Sequence, residues 1–120
     1  MDNGPGTPMT IENVDRLANR MGLDLRQVEV VIISDPEEIR YLDHMDAGAY
    51  TPSELNGAQI RLGPASFADE ESLAATIAHE AFHVEQQRAG EHLRRPLSEL
   101  EEEAYASEIP ALERLRNSPP

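Results

Sequence analysis

Apolar positions recur along this chain with two periods, and the switches between them mark out its elements. Ile11, Val14, Leu17, Ala18 and Met21 stand at i, i+3, i+6, i+7 and i+10, the stripe of a helix that buries one face. Thr10 is placed as its N-cap, Gly22 as the residue just past its end, and Leu23 as the apolar contact beyond. Val28-Glu29-Val30-Val31-Ile32-Ile33 is β-branched and nearly continuous, which predicts a strand covered on both faces. Asp35, Pro36 and Glu38 fit the N-cap, N1 and N3 places of a short helix through Ile39, Tyr41 and Leu42, and Asp43 to Gly48 reads as the loop that ends it. Ala49-Tyr50 predicts a short strand. Ala58 to Leu62 alternates, with Ile60 on one face and Gln59 and Arg61 on the other, and turn residues between the two strands suggest a hairpin-like pair.

The period then returns to that of a helix. Leu73, Ala74, Ile77, Ala78 and Ala81 are helically spaced, Asp69 is a cap, no Gly or Pro interrupts Ser72 to Gln87, and Gly90 stops the run. After a connector, Glu91 to Arg95, and Pro96, the pattern Ser98-x-x-Glu101 has the form of a capping box. It would open a helix with Leu97, Leu100, Ala104 and Tyr105 on its protein side. Pro110 predicts an end or kink near Glu108, with Leu112 and Leu115 on a last short helix. Gly4, Pro5, Gly6 and Pro8 make residues 1–9 a disordered lead-in, 10–116 a single domain and 117–120 a frayed tail. The class is α+β, with a small antiparallel or mixed sheet packed on the two later helices.

Composition narrows the chemistry. The chain has 120 residues and no cysteine, so there is no disulfide framework, and any bound metal must use His and carboxylate ligands. A formal charge of −13 argues against nucleic acid or an anionic membrane as partner, and fits a basic partner or plain solubility. No apolar run approaches a membrane span and no signal peptide is visible, so the expected location is the cytoplasm or export by another route.

The helix before Gly90 carries His79-Glu80-Ala81-Phe82-His83. Histidines four apart stand one above the other on a helix face, so two imidazoles can meet one metal ion. Glu80 is rotated about 100° from His79 and suits a general base for metal-assisted hydrolysis. Such a zinc site takes a third protein ligand. Glu101 is the leading candidate, because it shares the protein side of the next helix, while Glu102 and Glu103 remain alternatives. Glu101 could instead serve only as the capping partner of Ser98. A further oxyanion donor or ligand-orienting group is sought among His92, Tyr105, Tyr50 and His44, with His92 favoured by its position in the connector.

His79-Glu80-x-x-His83 followed by Glu101-Glu102-Glu103-Ala104-Tyr105 resembles the gluzincin pattern of zinc peptidases. Over about Val28 to Glu108 the chain is similar to the small metallopeptidase domain of bacterial contractile injection systems and polymorphic toxins. The resemblance implies a zincin-like fold, one zinc ion on His79, His83 and Glu101, Glu80 as general base, and a protein or peptide substrate. It also implies that the strand Ala58 to Leu62 is the edge along which an extended peptide pairs. Tyr105 stands where such enzymes often carry Asp or Asn to orient a ligand histidine, which leaves that orienting role unassigned. The competing expectation is an acidic interaction module that keeps the fold, and even the metal, without turnover.

Overall fold

In the computed structural model, which describes residues 6–119, each helix start is set by a short polar side chain or by proline. Helix α1 (Ile11–Arg20) begins where Thr10 Oγ1 accepts the Asn13 N–H at 3.1 Å. It ends at Gly22, whose φ of 73° lets its N–H reach Asn19 O at 3.1 Å while the Leu23 N–H reaches Ala18 O at 2.9 Å. Those paired bonds satisfy carbonyls that a helix end leaves free. Val14, Leu17, Ala18 and Met21 are buried, and Ile11 at the outer end of the stripe is exposed.

The sheet has three strands in the order β1-β3-β2, formed by β1 (Glu29–Ile32), β2 (Ala49–Tyr50) and β3 (Gln59–Leu62). β1 runs parallel to β3, and β2 runs antiparallel to it with Ala49 opposite Leu62 and Tyr50 opposite Arg61. Two expectations are corrected. β1 is an edge strand and only half-buried, because a sheet this small has a single interior place and β3 takes it. By the same token Ala58 to Leu62 is not a free edge; the outer edge on the side of β2 belongs to Ala49 and Tyr50. Ile60 and Leu62 are buried on one face of β3, while Gln59 and Arg61 on the other are half-buried.

Helix α2 (Pro36–His44) is capped by Asp35, which accepts the Glu37 N–H at 3.2 Å, and it runs two residues further than predicted. Glu38 occupies the third helical position, but its carboxylate takes Arg61 Nε and Nη2, each at 2.7 Å, and the Tyr50 hydroxyl at 2.7 Å. One side chain thereby ties α2 to both β2 and β3. The Arg61 guanidinium, and then the Tyr50 hydroxyl, hold the Glu38 carboxyl down at about 2.

Helix α3 (Glu70–Arg88) lies at the centre, in contact with α1, β2, β3 and α4. Asp69 Oδ1 caps it through the Ser72 N–H at 2.7 Å, and Gly90, at φ 74°, follows its end. Leu73, Ala74, Ile77, Ala78 and Val84 are buried together with the polar His79, Glu80, Gln86 and Gln87. Helix α4 (Leu97–Asn117) is one unbroken element, against the predicted end near Glu108. Pro110 sits on its exposed side, so only the bond to the exposed Ala106 carbonyl is lost, where water can replace it. Beyond it Ala111 and Leu115 are buried, and their packing carries the helix on. Ser98 makes no cap: Pro96 occupies that place, and Leu97 and Tyr105 turn outward while Leu100, Ala104, Ala111 and Leu115 face inward.

Residues 1–5 of the expected lead-in, and Pro120 of the tail, lie outside the described residues. From Gly6 the chain is tied down: the Thr7 N–H donates to Phe67 O at 3.0 Å, and Asn13 Nδ2 donates to Thr7 Oγ1 and Pro8 O at 2.8 and 2.9 Å. Ser118 Oγ accepts Arg20 Nε at 2.8 Å. Among the described residues no helix is long and apolar enough to cross a membrane.

Candidate metal centre

One turn of α3 separates His79 from His83 and brings their Nε2 atoms to 3.2 Å from each other. Glu101, in the second turn of α4, places Oε1 3.1 Å from His79 Nε2 and in closer contact with His83 Nε2. Among the described residues these three form the group able to hold a metal ion. The alternatives are disposed otherwise. Glu102 is exposed, and Glu103 is engaged by Arg95 and by Gln86 Nε2, the latter at 3.3 Å. With Ser98 not acting as a cap, Glu101 has no capping role to fill.

The far nitrogen of each ring is also occupied. His79 Nδ1 lies 2.9 Å from Glu108 Oε2, a carboxylate oxygen, so the nitrogen carries the proton. His83 Nδ1 lies 2.8 Å from Gln86 Oε1. Gln86 Nε2 donates to Leu100 O at 3.0 Å, which fixes the amide with its oxygen toward the ring. With each Nδ1 engaged from behind, the two Nε2 atoms are the ones that face the Glu101 carboxylate and are placed to serve as ligands. Partners of this kind set tautomer and orientation in histidine metal sites.

Sequence reasoning missed Glu108 and Gln86. The orienting role that it left open at Tyr105 is filled by Glu108, seven residues, or two turns, beyond Glu101. Tyr105 instead meets the His79 ring edge-on, with centroids 4.5 Å apart, and is largely exposed. The one signal available for Gln86 was its place three residues after His83 on the same helix.

Glu80 is buried, 6% exposed, and its Oε1 accepts the Thr51 hydroxyl at 2.8 Å. Burial pushes its carboxyl up, opposed by the Thr51 hydrogen bond and by His83 and His79, and assisted by Glu101. Thr51 is held in turn, because Gln87 Nε2 donates to its carbonyl at 3.0 Å and Gln87 Oε1 accepts the Gly57 N–H at 2.8 Å. Thr51, His79, Glu80, His83, Gln86, Gln87, Glu101 and Glu108 all border one groove of about 760 Å³ between the 45–53 segment, α3 and α4. His92 lines it as well, with a buried Nδ1 that has no hydrogen-bond partner among the described residues. Tyr50 lines it but spends its hydroxyl on Glu38, and His44 lies outside. Asp46, Glu80, Glu101 and Glu108 are in the lining and, among the described residues, no Lys or Arg is, so the field there favours a cation.

Comparison with known proteins finds no match among curated proteins and none among solved structures. The model of one family, the eCIS core domain, matches residues 8–91, which take in α1 to α3 with the His79 to His83 motif and stop before α4. Glu101 and Glu108 thus lie outside the matched stretch. The chain belongs to the eCIS core domain family, which links it to bacterial contractile injection systems.

Proposed function

We propose that this domain is a zinc-dependent peptidase working within, or delivered by, a larger injection-system assembly. The observation that carries the reading is the convergence of two imidazole Nε2 atoms and one carboxylate oxygen, each ring fixed from behind by its own acceptor. Three ligands at ~2.0 to 2.1 Å from a tetrahedral zinc ion stand roughly 3.3 Å apart, close to the 3.2 and 3.1 Å separations of His79 Nε2 from the other two donors, while His83 Nε2 and Glu101 Oε1, in closer contact, would part to admit the ion. His79, His83 and Glu101 would hold the ion. When bound, zinc supplies Lewis acidity and acidifies water near neutral pH.

The chain's own groups supply the rest. Glu80, anchored by Thr51 and sheltered from bulk solvent, takes the proton of the attacking water and returns it to the leaving amine. His92, which lines the groove, is the candidate to donate to the oxyanion as the carbonyl is attacked. The outer edge of β2 offers backbone groups to an extended substrate. A module that keeps the metal without turnover is the rival reading, and Glu80 separates the two. Glu80→Gln should leave one zinc per chain while lowering hydrolysis of an unfolded protein by at least about 100-fold, the lower range for a general base. Zinc absent from the wild-type chain even after supplementation, or hydrolysis unchanged by Glu80→Gln, would overturn the peptidase assignment.

A further inference from the structure

Large apolar side chains left in water are ordinary when scattered, and informative when they gather at one place. Here they gather at the mouth of the metal groove. Met45 is 56% exposed, Leu97 71% and Tyr105 63%, and all three line it. Leu97, Glu101, Tyr105 and Ile109 follow one another at steps of four along α4, so the candidate metal-ligating carboxylate sits within an apolar row. Ile109 is 66% exposed and Leu93, four residues before Leu97, is 79% exposed. Neither α4 nor the loop at Met45 needs these residues for its own packing, since the buried side of α4 is formed by Leu100, Ala104, Ala111 and Leu115.

We infer that the groove accepts an extended polypeptide with bulky aliphatic or aromatic side chains on both sides of its central residue. One seats against Leu97 and Tyr105, the other against Met45. The inference rests on the peptidase reading of the same groove and adds its substrate class. Three observations select this occupant. The outer edge of β2, along the groove, pairs with no other strand among the described residues, so it can bond an extended backbone. The groove presents polar donors and acceptors beneath the apolar rim, which suits a peptide rather than a lipid tail. A charge of −13 on each chain opposes both an anionic membrane and a second copy.

The test uses the Glu80→Gln protein loaded with zinc, so that binding is read without turnover. Two fluorescent ten-residue peptides share a central glycine; one carries leucines on both sides of it and the other serines. Anisotropy should show the leucine peptide binding at least about tenfold more tightly, the low end for apolar side chains entering a pocket. Adding Leu97→Asn and Met45→Asn should cut that preference to about twofold or less. Both positions are exposed, so zinc content and melting temperature should stay unchanged. Equal binding of the two peptides, or a preference that survives the double substitution, overturns the inference. So does a Leu97-dependent dimer in sedimentation, or binding to neutral phosphatidylcholine vesicles in place of the peptide. Leucine-selective binding without cleavage by the wild-type chain would uphold the surface and sink the peptidase reading, whereas cleavage indifferent to Leu97 and Met45 would do the reverse.

Discussion

At His83 the nitrogen turned away from the candidate metal is held by an amide, and that amide by a carbonyl of the next helix. Replacing Gln86 with Leu keeps bulk but removes the acceptor, so the ring loses its fixed tautomer. We expect zinc affinity, measured by chelator competition, to fall about 10- to 100-fold, with similar losses for Glu108→Ala at His79. Glu101→Ala should cost more, because a ligand itself is lost. The His79-Glu80-x-x-His83 set was legible because its partners share one helix and the spacing alone puts them on one face. Glu108, Gln86 and Thr51 were not, because each acts on a group brought to it by packing between α3, α4 and the 51–57 segment. No local pattern distinguishes such a residue from a solvated one.

At the level of elements, two features invite measurement. Pro110 interrupts the hydrogen bonding of an otherwise continuous α4, so Pro110→Ala should stabilise the fold by about 1 to 3 kcal/mol, read in denaturant unfolding. The helix end predicted there failed because proline penalises one turn, while burial of Ala111 and Leu115 rewards the next two. The second feature is the tie from Glu38 to Arg61 and Tyr50. Glu38→Gln should destabilise by roughly 2 kcal/mol at neutral pH, the scale of hydrogen bonds to a charged group. The Glu38 carboxyl is lowered from 4.5 to about 2 on folding, so the unfolded chain binds the proton more readily in that window. The contribution is therefore complete above about pH 4.5 and lost as pH falls through about 2. Unfolding of wild type and Glu38→Gln compared across that range should show the two curves meeting at its acid end. The same tie explains why a residue read as part of a helix start contributes instead to positioning the edge strand beside the groove.

For the whole molecule, α4 is both a wall of the core and the source of the third ligand. Leu100, Ala104, Ala111 and Leu115 are all buried, and at about 1.5 to 3 kcal/mol for each leucine, with less for each alanine, their loss amounts to roughly 5 kcal/mol. That is comparable with the ~5 to 15 kcal/mol net stability of an ordinary domain. A chain ending at Arg95 should therefore lose dispersed amide signals in NMR and bind no stoichiometric zinc, although it retains the whole stretch matched by the family. By itself the sequence determined the helices with strong caps and stripes, the three strands, the α+β class and the paired histidines, since all of these follow from interactions within one or two turns or from side-chain alternation. Only the tertiary structure decided that β3 lies in the middle of the sheet, that α4 continues past Pro110, that Glu101 rather than its neighbours meets the histidines, and that Glu108 and Gln86 stand behind them. Each of those outcomes depends on which surfaces compete for burial once the elements meet, a quantity that no local window of the chain contains.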